Sequence, residues 1–175
     1  MFRLLVFDLD GTLVDSRKDL AQATNRLILE SDGQPLDEDA VTHMVGEGVE
    51  RLIARAFAAA GLRVPDGAVS RFLKVYGECL LVHTRAYPGV PEALEALARL
   101  TSLAVLTNKP RELSEAILLG LGLEAFFGRV LGGDGPHARK PDPEGLRRLM
   151  NDFDVGPGDT LLVGDSRIDL RTASQ

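Results

Sequence analysis

The chain has 175 residues, 45% of them hydrophobic and 26% charged, and a formal net charge of −6. This composition describes an ordinary globular protein with one sizeable core, or a core plus a small appendage, and excludes little beyond disordered and fibrous classes. The acidic balance, with no run of lysine and arginine, argues against a nucleic-acid footprint or a membrane-surface patch, so an anionic ligand would need a local positive site.

Cys79 is the single cysteine. It leaves no intrachain disulfide and no thiolate metal cluster, and it fits a reducing, cytoplasmic setting. The N-terminal apolar stretch is short and already carries Asp8, unlike a signal peptide or a membrane span.

The first element is "RLLVFDL" (3 to 9), an apolar run closed by "DG" that reads as a buried parallel strand and a turn. From about Asp15 to Arg85 apolar residues recur at helical spacing: Leu20, Leu27 and Ile28; Val49, Leu52, Ile53 and Ala56; Val69, Phe72, Leu73, Tyr76 and Leu80. No strand signal interrupts that block. After "YPGVPEAL", Pro91 is placed to start a helix carrying Leu94, Leu97 and Leu100. "LAVLTN" (103 to 108) reads as a strand, followed by a helix near 110 to 121, a short strand near 129 to 133, a helix near 143 to 151 and the strand "TLLVGD" (160 to 165).

That alternation predicts an α/β fold: a doubly wound parallel sheet, with the first strand included and an all-helical block inserted after it. The expected division is a discontinuous core of residues 1–15 and 86–175 around a helical domain of residues 16–85.

Ligands of an open parallel sheet bind at the carboxyl ends of its strands. Asp8 and Asp10 are two apart, so at a strand end they face the same side, and their mutual repulsion calls for a cation, a shared proton or water. Alone, they also fit a solvated strand end with Asp10 serving the turn. Thr107 and Asn108 offer a hydroxyl and an amide after the second strand, either for a phosphate or simply as turn residues. Lys140, held ahead of a helix by Pro141, suits neutralisation of a phosphoryl group, although most lysines are surface solvators. Asp165 and Asp169, one helical turn apart, suit a hard cation and a lysine tether, and Asp165 or Ser166 equally suits a helix N-cap.

Together these groups fall in order at four successive strand ends, and the pattern resembles the haloacid dehalogenase superfamily of hydrolases. Asp8, Asp10, Gly11 and Thr12 match its first motif, Thr107 its second, Lys140 its third, and Gly164, Asp165 and Asp169 its fourth. The resemblance covers nearly the whole chain. It implies a Rossmann-like core, and a magnesium ion held by Asp8, Asp165 and the backbone carbonyl of Asp10. Asp8 is then the nucleophile that forms an aspartyl-phosphate, and Asp10 the acid and base. Lys140 and Thr107 hold the phosphoryl oxygens, Asn108 binds substrate or orients the nucleophile, and Asp169 orients Lys140 or a metal-bound water. The presence of Asp10 favours phosphate chemistry over dehalogenation.

The helical insertion resembles a cap domain, and "HMVGEGVERLIARAF" (43 to 57) with "TRAYPGV" (84 to 90) is similar to bacterial phosphoglycolate phosphatases. The resemblance implies substrate contact at Gly46, Glu47 and Gly48, which as structure alone are a break between two helices. "GEG" lacks the third glycine and preceding strand of a dinucleotide motif. The expected function is magnesium-dependent hydrolysis of a small phosphorylated metabolite, foremost 2-phosphoglycolate, by a cytoplasmic monomer or homodimer that uses neither nucleic acid nor membrane. Alternatives are a phosphatase or phosphomutase for a sugar phosphate, nucleoside monophosphate or pyrophosphate, and a catalytically silent binding protein. Family members usually run on beyond the fourth motif, so the final strand and helix of the core are expected to be missing from a chain ending at Gln175, leaving an exposed sheet edge.

Overall fold

The computed structural model describes residues 2–175. The chain divides into two compact units, one made of residues 1–15 and 85–175 and the other of residues 16–84.

The first unit is built on a four-stranded, all-parallel sheet. Its strands are β1 (Leu4–Phe7), β4 (Ser102–Leu106), β5 (Arg129–Leu131) and β6 (Thr160–Val163), in the order β5-β4-β1-β6. β1 lies between β4 and β6, and all four of its residues are buried. That explains why it reads as an unbroken apolar run rather than an alternating one. The helices α5 (Val90–Ala98), α6 (Arg111–Gly120), α7 (Glu144–Asp152) and α8 (Arg167–Ser174) complete the βαβα series anticipated from the sequence. Leu4 and Val6 of β1 join Ala104 and Leu106 of β4 with Leu146 and Leu149 of α7 in one buried cluster. Phe7 meets Phe127 edge to face, with centroids 6.3 Å apart.

Two very short strands accompany this sheet. β2 (Val14–Asp15) pairs antiparallel with β3 (Arg85–Ala86), Val14 opposite Ala86 and Asp15 opposite Arg85. The ribbon ties together the points where the chain leaves and re-enters the first unit, and it places Arg85 there.

The second unit comprises α1 (Arg17–Glu30), α2 (Glu38–Thr42), α3 (Val49–Ala59) and α4 (Ala68–Cys79). Leu20, Leu27, Ile28, Leu52, Ile53, Ala56, Phe57, Phe72 and Tyr76 are all buried, and Phe72 stacks on Tyr76 one turn later. At its base sits Asp19, a fully buried carboxylate in the first turn of α1. It accepts hydrogen bonds from the His83 amide (2.9 and 3.0 Å), the Thr84 amide (2.7 Å) and the Thr84 hydroxyl (2.8 Å). A buried charge is tolerated only when its oxygens are satisfied in this way. Asp19 therefore joins the start of the helical insertion to its end, 64 residues later.

Removing the carboxylate strands the two buried donors of Thr84 and the half-buried amide of His83. Asp19→Ala is expected to cost roughly 2–4 kcal/mol, seen as a lower urea midpoint, and Thr84→Val about 1 kcal/mol. An Asp19→Ala protein as stable as the parent would contradict this account.

Candidate active site

The four strand ends converge on a compact group of charges within the first unit. Lys140, in the segment between β5 and α7, is its centre. Its side chain is almost wholly buried, and Nζ lies 2.9 Å from Asp8 Oδ1 and 2.6 Å from Asp169 Oδ1. Its carbonyl accepts a 2.9 Å hydrogen bond from Asn108 Nδ2, and the Lys140–Pro141 peptide is cis. Asp8 directly follows β1, and its amide extends the parallel ladder by donating to the Val163 carbonyl at 2.9 Å.

Asp169 is held by Ser166. Their side chains are 2.5 Å apart, the Ser166 amide donates to Asp169 Oδ2 at 3.1 Å, and the Asp169 amide returns a 3.4 Å bond to the hydroxyl. This reciprocal pair is the capping box of α8. Ser166, and not Asp165, is thus the N-cap. Asp165 is exposed, and the Thr12 hydroxyl donates to its Oδ1 at 3.4 Å.

Two glycines make these approaches possible. Gly11 has φ +88°, and a Cβ there would lie 2.4 Å from Asp165 Oδ2. At Gly164 a Cβ would lie 2.3 Å from Asp169 Cγ. Any side chain at either position collides with a carboxylate of the site.

The electrostatics follow from burial. Asp8 is raised from its ordinary 3.8 to about 6, first by desolvation and only partly relieved by Lys140. Burial alone would lower the Lys140 pKa, but Asp8 and Asp169 outweigh it and hold the ammonium above its usual value. Burial likewise pushes Asp169 up, while Lys140 and Ser166 pull it further down, so it remains a carboxylate.

Carboxylate oxygens of Asp8, Asp165 and Asp169 lie within 4.8 Å of one another. Such a set of hard oxygen donors fits a divalent cation. Asp169 already engages Lys140 and Ser166, so Asp8 and Asp165 are the carboxylates best able to take a cation. Four carboxylates (Asp8, Asp10, Asp165, Asp169) face two ammonium groups (Lys109, Lys140).

Lys109 carries no role in the sequence reading, although it ends the strand-end segment "VLTNK". Its buried Nζ lies 2.8 Å from Asp10 Oδ1. The signal was its position immediately after Asn108 at the end of β4. Thr107 is buried, and its hydroxyl accepts from the Lys109 amide at 3.2 Å.

Gly46, Glu47 and Gly48 lie in the other unit, between α2 and α3, with φ +110° at Gly46 and +93° at Gly48. Glu47 accepts hydrogen bonds from Arg51 and Arg55 of α3. The Arg55 bond, foremost, holds its carboxyl below the usual range.

With this geometry in view, the comparisons with known proteins are specific. The model of the haloacid dehalogenase-like hydrolase family matches residues 2–175. This chain belongs to that family. It is 46% identical to a phosphoglycolate phosphatase of Rhodospirillum rubrum, over 99% of this chain and 76% of the relative. With a phosphoglycolate phosphatase of Colwellia psychrerythraea it shares 36% identity, over 97% of this chain and 79% of that one. A crystal structure described as a predicted phosphoglycolate phosphatase from Haemophilus somnus 129pt superposes with a TM-score of 0.92 at 35% identity, covering 99% of this chain and 81% of that chain.

The raised Asp8 pKa has a consequence for stability. Below about pH 4 the group is protonated in folded and unfolded chains alike. Between about pH 4 and 6 the group ionises in the unfolded chain but not in the folded one, and over that window the folded state loses on the order of 1–3 kcal/mol. Asp8→Asn is therefore expected to raise the Tm at pH 8 without divalent cations, with the gain vanishing towards pH 4. Thermal scans across that range check it, and a lower Tm for the variant at pH 8 would contradict it.

Proposed function

We propose that this protein is a magnesium-dependent phosphomonoester hydrolase that works through an aspartyl-phosphate on Asp8, with 2-phosphoglycolate as its substrate. The observation that carries the reading is the buried Lys140 shared between Asp8 and Asp169, beside the exposed Asp165. The names of the relatives support the choice of substrate, and the single cysteine supports a cytoplasmic setting.

Asp8, Asp165 and the backbone carbonyl of Asp10 are the groups assigned to Mg2+. When bound, the ion supplies charge that screens the Asp8 carboxylate from the incoming phosphate. Asp8 attacks phosphorus as the bond to the ester oxygen breaks, and the electron pair of that bond stays on the leaving oxygen. Asp10 gives that oxygen its proton. The alcohol departs, and Asp10, now a carboxylate, takes a proton from a water whose oxygen attacks phosphorus and releases Asp8 with inorganic phosphate. One hard hydrolysis thus becomes two displacements at the same phosphorus.

Lys140 has a double task. It keeps Asp8 oriented in the resting site, and it faces the charge that spreads over the phosphoryl oxygens during transfer. Asp169 anchors it. Thr107 and Asn108 are assigned to the phosphoryl group and to the Lys140 segment respectively. We assign substrate contact in the helical unit to the segment Gly46 to Gly48, where positive φ at both glycines supports a loop that presents backbone amides. Glu47 acts there by holding Arg51 and Arg55, because its own charge repels an anionic substrate.

The test is phosphate release with Mg2+ from 2-phosphoglycolate, a sugar phosphate, a nucleoside monophosphate and pyrophosphate. Turnover is expected to be fastest on 2-phosphoglycolate, to vanish with chelator, and to fall at least ~1,000-fold in Asp8→Asn and ~100-fold or more in Lys140→Met. Release that survives Asp8→Asn overturns the nucleophile. A preference for a sugar phosphate overturns the substrate and leaves the chemistry standing.

A further inference from the structure

Each aspartate of the first motif has a lysine ammonium beside it. Lys140 engages Asp8, and Lys109 engages Asp10 at 2.8 Å. The second pair is well buried, with side-chain exposure of 4% for Lys109 and 15% for Asp10.

The backbone of Lys109 is fixed from both sides. Its amide donates to Thr107 Oγ1 at 3.2 Å, and its carbonyl accepts from the Gly133 amide at 2.9 Å. It stands at the end of β4, adjacent to β1 in the sheet, so the lysine stem spans one strand spacing to reach Asp10. Asp10 lies in the turn after β1 and forms a bridge with Val14. A short turn places the Asp10 backbone but not the plane of its carboxylate, whose last torsion is broad.

We propose that Lys109 is the positioning residue for Asp10, fixing which carboxylate oxygen exchanges the proton with the leaving group and with the attacking water. An ammonium group offers donors only. Oδ1 faces it as the acceptor, and the exchange with the ester oxygen is assigned to Oδ2. As the P–O bond breaks, its electron pair stays on the ester oxygen, which takes the Oδ2 proton. In the second displacement Oδ2 takes one back from water. Lys109 itself touches neither phosphorus nor the leaving oxygen. This inference rests on the assignment of Asp10 as acid and base, and its test separates the two.

The discriminating variable is the leaving group. An alkoxide needs its proton during departure, whereas p-nitrophenolate is a stable anion in water. Steady-state kinetics are compared for 2-phosphoglycolate and p-nitrophenyl phosphate in the parent, Asp10→Asn, Lys109→Met and Lys109→Arg proteins, with inhibition by inorganic phosphate as a measure of phosphoryl binding. Lys109→Met is expected to lower kcat/KM roughly 10- to 100-fold for 2-phosphoglycolate and less than about 3-fold for p-nitrophenyl phosphate, with phosphate inhibition unchanged. Lys109→Arg, which keeps a cation at the same place, is expected to recover much of the loss.

Equal losses on both substrates with weaker phosphate inhibition would place Lys109 on the phosphoryl group and overturn the proposal. So would a Lys109→Met protein that keeps full activity on both. If Asp10→Asn itself shows no dependence on the leaving group, the assignment of Asp10 falls, independently of Lys109. Should Lys109→Met fail to fold, Lys109→Gln, which keeps a polar head without the charge, takes its place: a loss selective for the alkyl ester supports the proposal, and a uniform loss or none refutes it.

Discussion

A lysine ammonium with almost no access to water, held between two carboxylates, is the interaction on which the rest of this site depends. Lys140 bridges Asp8 and Asp169, and each of the three would be costly to bury without the others. The bridge joins the end of β1 to the start of α8 through the segment that precedes α7, three pieces of chain far apart in sequence. Ser166 fixes Asp169 through the α8 capping box, and Asn108 fixes the Lys140 backbone. The ammonium is thus set by its neighbours before any ligand arrives, which is the preorganisation that the proposed role of Lys140 calls for.

The same arrangement stores a cost. Asp8 sits where desolvation raises its pKa to about 6 even with Lys140 against it. A buried carboxylate that resists ionisation is a liability for folding and an advantage for chemistry, because a cation or a phosphoryl centre relieves the strain that the fold imposes. Asp19 in the helical unit is the contrasting case. It too is wholly buried, but backbone amides and a hydroxyl satisfy its oxygens, and it holds structure rather than reactivity.

Much of the fold was legible because the strands of a parallel sheet are buried on both faces and read as apolar runs, and because each run here stops at polar residues. β1, β4 and β6 were visible on those grounds, and with them Asp8, Thr107 and Asp165. Other features left no periodic trace. β2 and β3 are two residues each and exist only as a pair across the insertion. Asp19 is one acidic residue on an amphipathic helix, and nothing near it in sequence marks it as structural, since its partners come 64 residues later. Lys109 was one lysine among several until the sheet order put β4 beside β1 and brought it to Asp10, 99 residues away. The choice between Asp165 and Ser166 as helix cap turned on a reciprocal hydrogen bond that spacing permits but does not require.

The central claim is covalent: phosphorus bonds to Asp8 before water releases it. The most direct measurement uses Asp10→Asn, which is expected to slow the water step, mixed with p-nitrophenyl phosphate and Mg2+, whose departure needs no acid. A burst of one p-nitrophenolate per enzyme is expected, with the phosphoryl group on Asp8, where borohydride reduction and peptide mass spectrometry find homoserine at position 8. A burst that leaves Asp8 unmodified, or a phosphoryl group on any other residue, would contradict the account.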